Sequence, residues 1–252
     1  MPNFYAFISF DCESVIKILQ VPHGEFMTTV AIIVAAGKGI RAGGKVPKQW
    51  RTIAGKPVID WSIDAFINHK LINHVIVVLP AGKSIDRKDV ICCTGGSSRS
   101  ISVYNGLKAA KHLSPKKVLI HDVARPAVSK SIITDIVSEI NEETGAAPGL
   151  SITDAIWKVS NGEIEKTIDR NFIFRAQTPQ GFPYLKIFEA HKMLSDEWAF
   201  DDVELAIKFG LKIIFKNGNE ENLKITTPED FFKMSNILAK RLGPKFKKKV
   251  SN

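Results

Sequence analysis

The chain is poor in cysteine, and none of the three is placed for a staple or a metal. Cys12 stands alone, and Cys92 and Cys93 are adjacent. That rules out CxxC ligand spacing and an even disulfide framework, and it fits a reducing compartment. No apolar run reaches the roughly 20 residues of a membrane span. Residues 1–26 lack the basic start and uninterrupted apolar core of a secretory signal. The six histidines show no metal-ligand spacing, no internal repeat recurs, and no RNA- or DNA-reading motif is present. Two familiar phosphate-loop signatures are also missing: no Gly-Lys-Ser/Thr closes a glycine loop, and no GxGxxG follows a strand. These absences set aside a disulfide scaffold, a membrane protein, a zinc module, a Walker-type NTPase and a dinucleotide-binding Rossmann enzyme. A cytoplasmic globular chain is expected, with neither membrane nor nucleic acid as a partner.

What is present is an ordinary globular composition of 44% hydrophobic and 24% charged residues over 252 residues, enough for one sizeable α/β domain. The formal charge of +9 is unevenly spread. Six basic residues (Lys240, Arg241, Lys245, Lys247, Lys248 and Lys249) crowd one end, so the body is only mildly basic. The tail 244–252 reads as solvated. A nucleic-acid-binding role resting on it alone would be weak and salt-sensitive, and is a distant alternative. Met27 stands just ahead of the run VAIIVAAG. It reads as the translation start, with 1–26 an extension outside a fold spanning 27–243.

The β-branched segment Val30–Ala35 predicts a central strand buried on both faces. Pro57 opens a helix over Val58–Phe66. Strands at Val75–Leu79, Val90–Cys93 and Val118–His121 alternate with a helix at Ser100–His112, which implies a mostly parallel sheet with right-handed crossovers. After a helix at Ser129–Glu143, the segments Gly145–Ile152, Ile156–Val159 and Ile164–Ile168, with a turn at Asn161-Gly162, predict an inserted β-arm near 152–168. Helices at Tyr184–Leu194 and Asp201–Phe209, a strand at Leu211–Phe215 and a helix opened by Thr227-Pro228-Glu229-Asp230 complete the pattern. Trp50, Trp61, Trp157 and Trp198 read as packing residues.

The chemistry-bearing segments begin with Ala35-Ala36-Gly37-Lys38-Gly39-Ile40-Arg41, a glycine loop leaving a buried strand. Its backbone N–H groups can approach a phosphate without Cβ interference, and Arg41 and Lys48 can neutralise what it cradles. With Pro47-Lys48-Gln49-Trp50 it resembles the nucleotidyltransferases that activate sugars. Gly95-Gly96-Ser97-Ser98-Arg99-Ser100-Ile101-Ser102-Val103, His121-Asp122-Val123-Ala124-Arg125-Pro126 and Asn222-Leu223-Lys224-Ile225-Thr226-Thr227-Pro228 follow in order. Together these motifs resemble the 2-C-methyl-D-erythritol 4-phosphate cytidylyltransferase family, from about Thr29 to the final helix.

The resemblance implies a Rossmann-like nucleotidyltransferase fold and a reaction between CTP and a sugar-alcohol phosphate. Arg41 and Lys48 match positions that stabilise the phosphorus in transit. Ala35, Ala36, Gly37, Gly39, Gly95, Ser97, Ser102 and Asp122 match the nucleotide pocket. Arg125, Arg170, Thr178 and Lys224 match positions around the acceptor. Mg²⁺ or another divalent cation is implied, held mainly by the triphosphate with Asp122 as the local carboxylate. A homodimer built through the β-arm is implied as well. The chemistry itself calls for converging cations and a divalent metal rather than a nucleophilic side chain, because two anions must meet. Taken alone, Arg170 at a hairpin's end reads as a surface charge. Two positions depart from the family's usual pattern: Asp154-Ala155 where Asp-Thr is common, and Phe200 ahead of Asp201-Asp202 where Thr is common. Both missing hydroxyls are implied to lie near the acceptor, so another polyol phosphate such as ribitol 5-phosphate stays open. GAAPGLSITDAIWKV, RAQTPQGF and EENLKIT resemble the cytidylyltransferase half of the fused bifunctional enzymes, whose second half is not expected here.

Overall fold

The computed structural model describes residues 27–37, 39, 42–44, 46–193 and 201–243. The expectations placed on Arg41, Trp198, Phe200, the 1–26 extension and the 244–252 tail lie outside the described residues.

The β-branched run forms β1 (Thr29–Val34), with β4 (His74–Leu79) and β6 (Lys117–Asp122) both parallel to it on either side. Side chains alternate across a strand, so β1 feeds two cores. Ala31 and Ile33 meet Ile59, Ile63 and Phe66 of α1 (Val58–Ile67) and the isoleucines of α3 (Lys130–Glu139). Val30 and Ile32 meet Val103 and Leu107 of α2 (Arg99–Ala110), Ile187 of α4 (Tyr184–Met193) and Leu205 of α5 (Asp202–Lys208). A central strand covered on both faces must be apolar along its covered length, which is why residues 30–34 include no polar side chain.

The main sheet runs in the order β10 (Phe174–Ala176), β7 (Thr144–Ser151), β11 (Gln180–Pro183), β6, β1, β4, β5 (Ile91–Thr94), with β12 (Lys212–Asn217) paired to β7. The expected α/β architecture with a mostly parallel sheet is present. The β1–β4, β1–β6, β4–β5 and β7–β12 pairs are parallel, while β11 and β10 run antiparallel to their neighbours. From β1 the chain moves outward to β4 and β5, then returns to β6 on the other side of β1. Strand order therefore reverses between β1 and β6, and the crevice beyond their C-terminal ends is where open α/β sheets bind ligands.

Four expectations need correction. Gly145–Ile152 is not part of the arm, because β7 belongs to the main sheet, where its small Gly and Ala residues let β11 and β12 pair against it. The arm is only the hairpin β8 (Ile156–Ser160) and β9 (Glu163–Ile168), a separate two-stranded sheet. The helix expected to reach Glu143 ends at Glu139, because the Asn141 side chain accepts from the backbone N–H groups of Glu143 and Thr144 and turns the chain. Trp157 is exposed on β8 rather than packed.

A third apolar cluster places α6 (Pro228–Leu242). Phe231, Met234 and Leu238 pack with Ala42, Val58, Ala124 and Ile225. The Asp230 carboxylate accepts from the N–H groups of Thr226 and Thr227, both at 2.8 Å, a capping box that fixes the start of the helix and ties residues 226 and 227, just after Lys224, to it. The remaining pair, β2 (Thr52–Ile53) and β3 (Lys56–Pro57), forms a short hairpin ahead of α1.

Candidate active site

A cavity of about 930 Å³ opens at the strand-order reversal, lined from the glycine loop, the start of α2, the end of β6 and the segment before α6. The glycine loop is held from beneath by Gln49. Its buried amide donates to the carbonyls of Ala35, at 2.9 Å, and Gly37, at 3.0 Å. This explains the Pro47-Lys48-Gln49-Trp50 motif: Gln49 fixes the loop, and the neighbouring Lys48 is delivered to the cavity wall. Lys48 Nζ donates to the Ile225 carbonyl at 2.8 Å, bridging the loop to the last segment. Gly39 has φ +65°, and a Cβ there would stand 3.1 Å from the Lys48 side chain, so glycine is required for both conformation and space.

The opposite wall is the N-terminal turn of α2. Ser98 caps it by accepting from Ile101 N–H at 3.1 Å, and Ser102 Oγ donates to the Ser98 carbonyl while accepting from Gly96 N–H. Gly95 lies so near the glycine loop that a Cβ would fall 2.4 Å from that of Ala36. Gly95 therefore packs directly against Ala36, while Ala36, Ser97 and Ser102 line the cavity. Ala35 stands behind this wall with its carbonyl taken by the Gln49 amide, and the α2 N-terminus gives the wall a positive end.

Asp122 ends β6 on the cavity floor between two cations. Arg99 Nε is 3.2 Å from Oδ1 and Lys224 Nζ is 2.7 Å from Oδ2. Burial pushes its carboxyl up, but Arg99 and Lys224 outweigh that and hold it well below the ordinary carboxylate range. Beneath it, Asp122 N–H donates to Thr178 Oγ1, the Thr178 hydroxyl donates to His121 Nδ1, and His121 Nε2 donates to the Arg125 carbonyl. Burial lowers His121 to about 3, so the imidazole is neutral and supplies one donor and one acceptor.

Of the residues implied to contact the acceptor, Lys224 reaches the cavity. The structure places Arg125 and Thr178 in the layer below it. The Arg125 guanidinium donates to the carbonyls of Asn222, at 2.8 Å, and Ala176, at 3.1 Å, and Asn222 donates onward to the Thr178 carbonyl. These bonds fasten the segment that carries Lys224. Arg125→Ala is therefore expected to lower the melting temperature by about 4–8 °C, the consequence of stranding buried carbonyls, and to raise the acceptor KM by displacing Lys224. Calorimetry and steady-state kinetics check both. Arg170 is exposed just past β9, at the base of the arm, where its guanidinium donates to the Thr153 carbonyl. It does not line this chain's own cavity.

Three residues given no role by the sequence complete the site. Arg99 lines the cavity and also reaches Asp202 Oδ2 at 2.8 Å, and Asp202 is backed by His191 at 3.2 Å. Both Arg99 and Asp202 stand inside segments singled out from the sequence, but no linear spacing brings positions 99, 122, 191 and 202 together.

A family model described as IspD: 2-C-methyl-D-erythritol 4-phosphate cytidylyltransferase matches residues 29–240. The chain is 46% identical over 216 residues to the "Bifunctional enzyme IspD/IspF" of Ruegeria pomeroyi, a match covering 84% of this chain and 57% of that protein. It is 43% identical over 222 residues to the "2-C-methyl-D-erythritol 4-phosphate cytidylyltransferase" of Roseobacter denitrificans, covering 86% of this chain and 100% of that one. The chain thus spans little more than half the length of the bifunctional relatives and matches the single-function one end to end. Among solved structures, the 2-C-methyl-D-erythritol 4-phosphate cytidylyltransferase of Thermus thermophilus superposes with a TM-score of 0.71 at 27% identity, covering 82% of this chain and 97% of that one.

Proposed function

The chain belongs to the 2-C-methyl-D-erythritol 4-phosphate cytidylyltransferase family, and from that premise we propose that it transfers CMP from CTP to 2-C-methyl-D-erythritol 4-phosphate, releasing pyrophosphate. The observation that carries this reading is the convergence of Lys48, Arg99, Lys224 and the α2 N-terminus on one cavity around the carboxylate of Asp122. Such a site suits a reaction between anions. A phosphate oxygen of the acceptor attacks the α-phosphorus of CTP, a new P–O bond forms, and the bond to pyrophosphate breaks. The protein needs no covalent intermediate. Lys48 and the loop N–H groups stabilise charge on the triphosphate side, Lys224 draws in the acceptor phosphate, and the small side chains of Ala36, Ser97 and Ser102 on the cavity wall leave room for a pyrimidine. Arg41 belongs with Lys48 in this scheme.

The donor set fits a divalent cation held chiefly by substrate. Among the described residues no three His, Cys, Asp or Glu side chains gather as a metal cage, and both oxygens of Asp122, the carboxylate on the cavity lining, are engaged by Arg99 and Lys224, so the cation would be held chiefly by the substrate phosphates. When bound, Mg²⁺ would supply charge neutralisation on the triphosphate. We further propose that the enzyme works in the cytoplasm as a homodimer. Among the described residues no helix is long and apolar enough to cross a membrane.

Pyrophosphate release from CTP, measured with 2-C-methyl-D-erythritol 4-phosphate and in parallel with ribitol 5-phosphate, tests the reading. The first acceptor is expected to give kcat/KM at least about 10²-fold higher, the size of discrimination a few polar contacts can deliver. Preference for ribitol 5-phosphate would move the assignment to the other acceptor, which the exposed Ala155 leaves in play. EDTA should abolish turnover and excess Mg²⁺ restore it; full activity in chelator would contradict the metal's part.

A further inference from the structure

Arg99 is the first residue of α2, and its guanidinium is stretched between two carboxylates. Nε meets Asp122 Oδ1 at 3.2 Å, and Nη1 meets Asp202 Oδ2 at 2.8 Å. Asp202 begins α5, and its side chain is only 2% exposed. Its other oxygen, Oδ1, lies 3.2 Å from Nε2 of His191 on α4, itself buried, and His191 Nδ1 lies 3.5 Å from Ser100 Oγ. Ser100 follows Arg99 on α2, so the contacts form a closed ring from α2 through α4 and α5 back to α2. The start of α5 is anchored separately: Asp201 caps it by accepting from Glu204 N–H and also accepts from the Gln180 amide of β11.

A buried carboxylate is a costly way to join helices, since an apolar pair of similar size usually does as well. What it provides instead is direction. Asp202 takes Nη1 while Asp122 takes Nε, so the guanidinium is fixed from two sides, and the second oxygen of Asp122 stays with Lys224 at 2.7 Å.

We propose that Asp202, braced by His191, is a positioning residue for nucleotidyl transfer: it fixes the Arg99 guanidinium so that Nε stays on Asp122 Oδ1 and Lys224 keeps its place on Oδ2 at the cavity floor. The assignment rests on the transfer reaction proposed above. Neither Asp202 nor His191 lines the cavity; both act through Arg99. Asn at position 202 preserves the shape but not the charge, so the hold on Nη1 weakens, the guanidinium turns from its place on Oδ1, and Lys224 loses its fixed partner arrangement on Asp122.

The test is a double-mutant cycle on the full chain. Asp202→Asn is expected to lower kcat about 30-fold with the KM for CTP changed less than about threefold, the pattern of a mispositioned catalytic group rather than lost ground-state binding. In the Arg99→Met background the same substitution should change kcat by less than about twofold, because a residue acting through Arg99 has nothing left to act on. Effects that multiply independently in the two backgrounds would overturn the proposal. If Asp202→Asn fails to fold, Arg99→Lys takes its place, since it keeps the charge but cannot span two carboxylates. It should lose kcat to the same extent, and near-wild-type turnover would overturn the idea. A second readout needs no reaction. The Arg99 Nε–Hε cross-peak, identified by its loss in Arg99→Met, should shift or broaden in His191→Phe, which removes the brace and leaves both carboxylates. An unchanged peak overturns the positioning role. A wild-type chain that binds CTP yet releases no pyrophosphate with 2-C-methyl-D-erythritol 4-phosphate would instead sink the proposed reaction, and the cross-peak would still decide the role of Asp202.

Discussion

Lys48→Ala is expected to lower kcat by about 10³-fold, near the upper range for removing one preorganised donor from a developing charge, while the acceptor KM moves less than about threefold. The reasoning starts from how firmly the side chain is held. Gln49 ties the preceding loop to the end of β1 through two carbonyls, and Lys48 Nζ itself donates to the Ile225 carbonyl. An ammonium already fixed at the cavity wall costs no reorganisation when negative charge moves toward the leaving pyrophosphate. Its contribution therefore falls on the transition state more than on the bound substrates. Lys224, by contrast, is paired with the carboxylate of Asp122, so its loss should appear first in the acceptor KM. Rapid-quench measurement of a single turnover with Lys48→Ala separates these: a chemical step as fast as in the wild type would remove Lys48 from the reaction.

The parts of the fold that were legible in the sequence are those whose burial is written into the residues themselves. Val30–Val34 and Val75–Leu79 are apolar on both faces because both faces are covered, and such runs announce a central strand without outside help. β11 had no such signal. Gln180-Gly181-Phe182-Pro183 is a strand because β6 and β7 lie alongside it, and a short segment with glycine and proline does not carry that information alone. The end of α3 was lost for a local reason, the side-chain turn at Asn141. The site divides in the same way. The glycine loop and Lys48 are contiguous in the chain and could be read together. Whether an arginine faces a ligand or a pair of carbonyls depends on segments far away, and nothing in the chain around Arg125 shows that its guanidinium donates to the carbonyls of residues 222 and 176. The Arg99–Asp202 pair is invisible to spacing for the same reason.

The arm carries the remaining argument. Among the described residues β8 and β9 pair only with each other, and a lone two-stranded hairpin is marginal in water. This one also exposes Trp157, Val159 and Ile164, with Phe172, 90% exposed, just beyond it. Apolar surface of that kind on a protruding element calls for a cover, and a two-fold partner covers both arms at once. Arg170 sits just past β9, beside Thr153 at the base of the arm, and does not line its own chain's cavity, so a dimer formed through the arms would let it enter the partner's site and meet the acceptor phosphate. In that arrangement Arg170→Ala and Lys48→Ala each disable every site of their own homodimers. Mixed dimers, however, pair the intact Lys48 of one chain with the intact Arg170 of the other in one of two sites. Random reassortment of equal amounts makes half the dimers mixed, so co-refolding should restore about a quarter of wild-type turnover, as expected for a two-fold assembly. Activity no higher than either parent, in mixtures shown by differential tagging to contain the mixed dimer, would return Arg170 to its own subunit or remove it from the reaction.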